Sequence, residues 1–429
     1  MLKSRLCIAF FAFAVGCAPA QKPLTDYVNP MLGTATLWDS VDLGFKPTKR
    51  TWGAEVFPGS SLPNAMVQVS PVTKFHSGAG YQYEDSVIYG FTHTNKGHWN
   101  LCHIPLLPVT GTPTPGDYCS PFSHERESAA PGYYQVFLDR YGVDAQLSST
   151  LRCAFHKYTY PAGAAASLLA DLQRSNEHVR AWDIRKEGDN VFAGWQQTGE
   201  KMYFYAVANR PVTGIEPVVE GDREVRIVRF GEGDGALELR IGFSFVSEKN
   251  ARENLEAEML GKSFAEVRSE ATATWNDLLG RIRVEGGTER EKGLFYSSLY
   301  RSFLWPALRS DVNGEFTDVD GKVINPGFRY YTGPSYWDDY RNKLILLGML
   351  APDVAADVIS SDTDKGEKRG GFMPTFFHGD HASAFVAGTY LRGNRGFDVN
   401  RAYNLVLRNA TVQGPSRPWL DEYIAKGYI

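Results

Sequence analysis

Near Ser247 the hydrophobic period of this chain changes from about two residues to about 3.6, which narrows its fold more than any other feature. From about Thr25 to Phe245, short β-branched and aromatic runs alternate with turn signals. Met66-Val67-Gln68-Val69, Tyr133 to Leu138 and Val225 to Phe230 are such runs; Pro58-Gly59, Pro115-Gly116, Pro131-Gly132 and Gly188-Asp189-Asn190 are such turns. The alternation predicts half-buried strands of an antiparallel sandwich.

Beyond Ser247 the pattern predicts helices over Ala251–Leu260 and Ser263–Ile282. Phe264, Val267, Ala271, Trp275, Leu278 and Leu279 fall on one stripe of the second, and Ser263 with Glu266 forms a capping box. Further helical periods cover Glu289–Arg309, Trp337–Leu350, Pro352–Ser361, Ala382–Arg392 and Val399–Asn409. The expected organisation is therefore α+β and multidomain: a β-sandwich over residues 22–247, a helical linker over 248–286, and helical hairpins over 287–429.

Residues 1–21 read as an export signal, with Lys3 and Arg5 before an apolar run from Leu6 to Val15. Two processing readings stay open. Ala14-Val15-Gly16-Cys17 resembles a lipobox that would leave a lipid anchor on Cys17, and Ala18-Pro19-Ala20 resembles a signal-peptidase site. Both imply an exported protein, in the periplasm or anchored as an outer-membrane lipoprotein of a Gram-negative bacterium. Cys102, Cys119 and Cys153 remain in the mature body, so one disulfide and one thiol are compatible with an oxidising compartment. A net charge of −4 gives no reason to expect a nucleic-acid partner.

No Walker A loop, G-x-G-x-x-G or G-x-S-x-G elbow is present, which leaves carboxylates and aromatic faces as the chemistry on offer. Tyr330 to Arg341 gathers a Trp, two carboxylates, an Arg and four Tyr beside a Gly-Pro turn. Flat rings suit the C–H face of a pyranose, and charged forks suit its hydroxyls. On a continuous helix Trp337 and Arg341 would share a face, with Asp338 and Arg341 adjacent. The run Tyr89 to Asn100 holds His93, His98 and Trp99 with two Asn and a Lys, and reads as a loop facing a ligand, the alternative being a satisfied polar core. His378-Gly379-Asp380-His381 precedes a helix, where Asp380 and His381 suit a sugar contact or a cap rather than a metal.

With these residues in view, the chain resembles glycoside hydrolase family 92, the calcium-dependent inverting exo-α-mannosidases. The matching stretches include Tyr27 to Thr34, Phe57 to Pro71, Tyr89 to Thr94, Phe295 to Tyr300, Ser310 to Gly314, Ser335 to Arg341 and Gly379 to His381, in the family's order. The resemblance implies a β-sandwich, a helical linker and part of an (α/α)6 toroid. It implies a mannose-containing oligosaccharide or glycoprotein glycan as substrate and Ca2+ as cofactor. Carried over, Trp337 would pack on the sugar, Asp338 would accept from its hydroxyls, and Arg341 would orient that carboxylate. Asp380, His381, His93 and Trp99 complete the expected substrate contacts. After His93-Thr94 the loop departs from the Ser-Gly-Thr-Gly common in the family. The family's acid Glu, base Asp and most of its calcium ligands would lie beyond Ile429, so the sequence reads as a fragment. The alternative is a non-catalytic carbohydrate-binding or vestigial protein.

Overall fold

The computed structural model describes residues 22–36, 44–46, 55–94, 101–233, 235–375, 377, 379–414 and 417–428. The export segment, Cys17 and Trp99 lie outside them.

Two antiparallel sheets build the N-terminal domain. One has seven strands in the order Ser60–Ser61, Gln68–Val72, Gly90–Thr92, Leu106–Val109, Ser167–Ala170, Arg223–Phe230 and Val212–Glu220. The other has eight, in the order Ala181–Gly188, Val191–Gln197, Lys201–Ala208, Leu237–Ser244, Cys153–Thr159, Val143–Ser149, Tyr133–Leu138 and Glu127–Ala130. Their inner faces meet in a core where Phe91 of the first sheet stacks on Tyr158 of the second, with ring centroids 6.3 Å apart. The predicted alternation is visible along Lys201–Ala208, where Met202, Phe204, Ala206 and Ala208 are buried and the residues between them are half-buried.

The outer face of the eight-stranded sheet is covered by the linker helices Glu248–Glu258 and Phe264–Leu279. Leu255, Met259, Phe264 and Val267 close over Tyr133, Cys153 and Phe155. Gly242 permits this approach: a Cβ there would sit 2.1 Å from the Ala251 carbonyl oxygen. The capping box forms as expected, with Ser263 Oγ accepting from Glu266 N–H and the Glu266 carboxylate accepting from Ser263 N–H. All six residues of the stripe are buried. Trp275 is fully buried and donates its indole N–H to the Ser61 carbonyl at 2.7 Å, which ties linker to sandwich.

The helical part comprises Glu289–Ser302, Tyr336–Asp339, Lys343–Leu350, Pro352–Lys368, His381–Leu391, Val399–Thr411 and Leu420–Lys426. Two expectations are corrected here. The first of these helices stops at Ser302 rather than Arg309, because Pro306 has no N–H for a helical ladder. The chain there bonds to Asn64 instead: Asn64 N–H donates to the Phe303 carbonyl at 2.6 Å, its side-chain amide donates to the Pro306 carbonyl at 2.8 Å, and its own carbonyl accepts from Leu308 N–H at 2.9 Å. Asn64 is buried and holds φ at +53°, a conformation Asn tolerates better than most side chains. The Phe57–Pro71 stretch, which joins two paired strands of the sandwich, is thus also a latch between sandwich and helices.

The second correction concerns Trp337–Leu350, which is two helices. Asn342 leaves helical geometry at φ −137° and caps the Lys343–Leu350 helix by accepting from Lys343 N–H. Cys102, Cys119 and Cys153 are all thiols, and no disulfide joins them.

Candidate functional site

Tyr336 anchors the site. Its ring is buried and its hydroxyl donates to Asp362, a buried carboxylate that also accepts from Lys365 Nζ at 2.8 Å. Pinning Tyr336 inward turns its two successors outward. Trp337 is 49% exposed and Asp338 is exposed, while Asp339 faces in and pairs with Lys343 at 3.0 Å. Ser335 donates its hydroxyl to the Asp338 carboxylate at 2.5 Å, which fixes the carboxylate beside the indole.

Opposite this turn runs the segment before the His381–Leu391 helix. Two ring pairs join them. Phe377 meets Trp337 edge to face, with centroids 5.9 Å apart at 77°. His381 stacks on Tyr340, with centroids 4.0 Å apart at 14°. Phe377 is 63% exposed and sits at φ +58°, a strained conformation for an aromatic residue. Apolar rings held in water beside a carboxylate form a platform suited to a sugar's C–H face and hydroxyls.

Of the residues expected at a sugar site, Trp337 and Asp338 stand side by side on the exposed turn, and His381 reaches the same turn through its stack on Tyr340. Arg341 behaves differently. Its Nε donates to the Tyr340 hydroxyl at 2.8 Å, so it braces the Tyr340–His381 stack and does not orient Asp338. The helix ends at Asp339, before Arg341 is reached, and the i, i+3 relation needs a continuous helix. Asp380 is spent on structure: it caps its helix through Ser383 N–H, accepts from the Asn409 amide at 3.1 Å and pairs with Arg417 at 3.0 Å.

His93 is a further correction. It is fully buried in the sandwich and faces no open cleft. Its Nδ1 lies 3.0 Å from the Ile104 carbonyl, so that nitrogen must carry the proton. Nε2 then accepts from His156 Nε2 at 3.0 Å, and His156 Nδ1 accepts from the Tyr158 hydroxyl at 2.6 Å. Every polar atom of this chain is satisfied with both imidazoles neutral. Burial depresses His93 to about 3 and holds His156 well below its ordinary value. His103, also fully buried between Thr94 and Thr198, is depressed to about 4 by burial, against the pull of Glu200 and Glu177. The run from His93 is thus a satisfied polar core at its start, and Trp99 lies outside the described residues.

Sequence reasoning missed Phe377 and the role of Tyr340. The signal available was the aromatic pair Phe376-Phe377 directly before His378-Gly379-Asp380-His381. Of the carboxylates Asp338, Asp339, Asp380 and Glu367, three are paired with cations: Asp339 with Lys343, Asp380 with Arg417, and Glu367 with Arg401, which lowers Glu367 below the usual carboxylate range. A general acid needs the opposite shift. Asp338 alone of the four has a hydroxyl rather than a cation as its partner. Among the described residues no group of three His, Cys, Asp or Glu side chains converges to hold a metal.

Residues 27–253 match the glycosyl hydrolase family 92 N-terminal domain, and residues 250–429 match the family 92 catalytic domain. The fold is similar to that of a family 92 alpha-mannosidase from Bacteroides thetaiotaomicron, at 26% identity and a TM-score of 0.84, over 94% of this chain and 58% of that one. The same enzyme in complex with mannoimidazole aligns equally well, at a TM-score of 0.84. An uncharacterized secreted glycosidase of Arthroderma benhamiae is 24% identical over 94% of this chain and 55% of its own length. The chain therefore spans somewhat over half the length of these relatives. With both domain matches abutting near residue 250, where strands give way to helices, the chain belongs to glycosyl hydrolase family 92.

Proposed function

We propose that this chain carries the sugar-recognition half of an exported exo-α-mannosidase acting on mannose-ended glycans. The observation that carries the reading is the Trp337–Phe377 ring pair standing in solvent beside Asp338. The indole face packs on the pyranose, and the Asp338 carboxylate, with one lone-pair site taken by Ser335, accepts from sugar hydroxyls. The Tyr340–His381 stack holds the two segments at a fixed separation. Support for mannose comes from the relatives that are alpha-mannosidases, one of them holding mannoimidazole. Support for export comes from the N-terminal signal and a relative described as secreted.

The general acid and base belong, on this reading, to the part of the relatives that the chain does not span. Inversion needs two carboxyls roughly 6.5–9.5 Å apart with water between them. The neutralised Asp339, Asp380 and Glu367 favour a chain that binds sugar without cleaving it. Calcium stays with the family resemblance, and no step is assigned to it.

The test is a thermal melt of the chain with mannoimidazole or methyl α-mannoside. A ligand at one hundred times its Kd should stabilise the fold by about 2.7 kcal/mol. Trp337→Ala should sharply reduce the shift. A longer product of the same gene should hydrolyse 4-nitrophenyl α-mannoside with inversion. No melt shift with either ligand, together with an inactive longer product, would overturn the reading.

A further inference from the structure

We propose a second carbohydrate-binding site on the helical domain, separate from the Trp337–Phe377 platform, taking one or two rings of a neutral glycoside. It is a cavity of about 400 Å3 between the Pro352–Lys368 helix, the start of the Val399–Thr411 helix and the segment at Phe328. That volume falls in the ordinary range of small-ligand sites, roughly 300–1,000 Å3. Ser360 and Thr363, three apart, share a flank of the long helix. Asp362, which anchors Tyr336, is turned roughly 100° or more from both, so the cavity and the platform use different faces of that helix.

The walls combine rings with both kinds of hydrogen-bonding group. Phe328 is half-buried and Phe397 is buried, and both line the cavity. The hydroxyl protons of Ser360 and Thr363 are used on the Ala356 and Ile359 carbonyls, at 2.9 and 2.8 Å. These hydroxyls therefore present lone pairs to the cavity. Asp398 gives one carboxylate oxygen to Arg401 N–H as the helix cap and has another to offer.

Donors come from two arginines. Arg401 uses Nε and Nη2 on Glu367, at 2.9 and 2.6 Å. Arg395 lies over the Tyr390 ring at 3.5 Å and directs Nη1 to the Tyr390 and Asn394 carbonyls. Arg401 Nη1 and Arg395 Nη2 remain as donors without a protein partner among the described residues. Glu367 pairs with Arg401 and Asp398 stands on the same wall, so the cavity presents both signs of charge and an anion gains little here. A neutral ligand with alternating donors and acceptors and a flat apolar face fits best, and a hexose is such a ligand.

The mannoside probe below rests on the proposed function, but the cavity does not. The experiment therefore separates the two. The chain and its Trp337→Ala variant are titrated with methyl α-mannoside, α-glucoside and α-galactoside by calorimetry and saturation-transfer NMR. We expect at least one glycoside to bind the Trp337→Ala protein. That residual affinity should fall at least fivefold in the added Arg395→Gln or Phe328→Leu background. Arg395 is exposed, so its variant tests the site even if Phe328→Leu impairs folding. If no glycoside binds the Trp337→Ala protein, or if Arg395→Gln leaves the residual affinity unchanged, the second site is refuted. If Trp337→Ala leaves mannoside affinity at the wild-type level, the platform reading fails instead.

Discussion

Acid should destabilise this protein well before its carboxylates are neutralised, and the buried imidazoles set the size of the effect. His93 is held near 3 and His103 near 4, while an unfolded histidine titrates near 6.5. A depressed native value means that the neutral form is the folded form. Below about pH 6.5 the unfolded chain takes up protons that the native state refuses, so stability falls as pH falls. At pH 5 each of the two residues costs about 2 kcal/mol relative to pH 7, or about 4 kcal/mol together. His156 is depressed in the same direction and adds to the loss. Asp171 and Asp311, raised by burial, oppose it by protonating first in the native state. From His93 and His103 alone, stability should fall near pH 5 with a slope of about two protons, roughly 3 kcal/mol per pH unit. Urea denaturation at pH 7.5, 6.5, 5.5 and 5.0, at constant ionic strength, measures this slope. Replacing His103 by Gln should lower the slope by about one proton. A stability flat or rising between pH 7 and 5 would show that these imidazoles are not held neutral, and the reading of the His93–His156–Tyr158 chain would fall.

Three further outcomes are expected. Trp337→Ala should weaken mannoside binding at least tenfold in calorimetry while moving stability by less than about 0.5 kcal/mol, because the side chain is half exposed. Asn64→Ala should cost about 2–3 kcal/mol in denaturant melts, since it removes a buried amide bond and strains a residue at φ +53°. Gly242→Ala should cost more than about 3 kcal/mol or prevent soluble expression, because its methyl would overlap the Ala251 carbonyl; an unchanged melting temperature would contradict the packing of the linker helix.

Much of this architecture was legible because its signals are local. Period-two runs became strands, the Phe264–Leu279 stripe became a buried helix face, and Ser263 with Glu266 formed the cap that their spacing implies. What could not be read depended on distant partners. His93 looked like an exposed ligand-facing group because its satisfying partner, His156, lies 63 residues away. Arg341 looked like a partner for Asp338 because nothing local announced that one helix would end at Asp339 and the next begin after its cap at Asn342. Phe377 offered only an aromatic pair beside His378-Gly379-Asp380-His381; its place opposite Trp337 follows from how distant segments pack. Asp380 was legible as a cap, but its pairing with Arg417 needed a residue from beyond the Val399–Thr411 helix.

The latch at Asn64 also orders events in time. Its amide meets a carbonyl 242 positions later in the chain, so a ribosome adding about 5–20 residues per second leaves it without that partner for roughly 12 to 50 s. Strands from the whole span up to Ser244 are complete before that partner exists. The sandwich must therefore stand first, presenting a preformed socket at the Phe57–Pro71 loop, and the helical half arrives as a docking reaction onto a template already made.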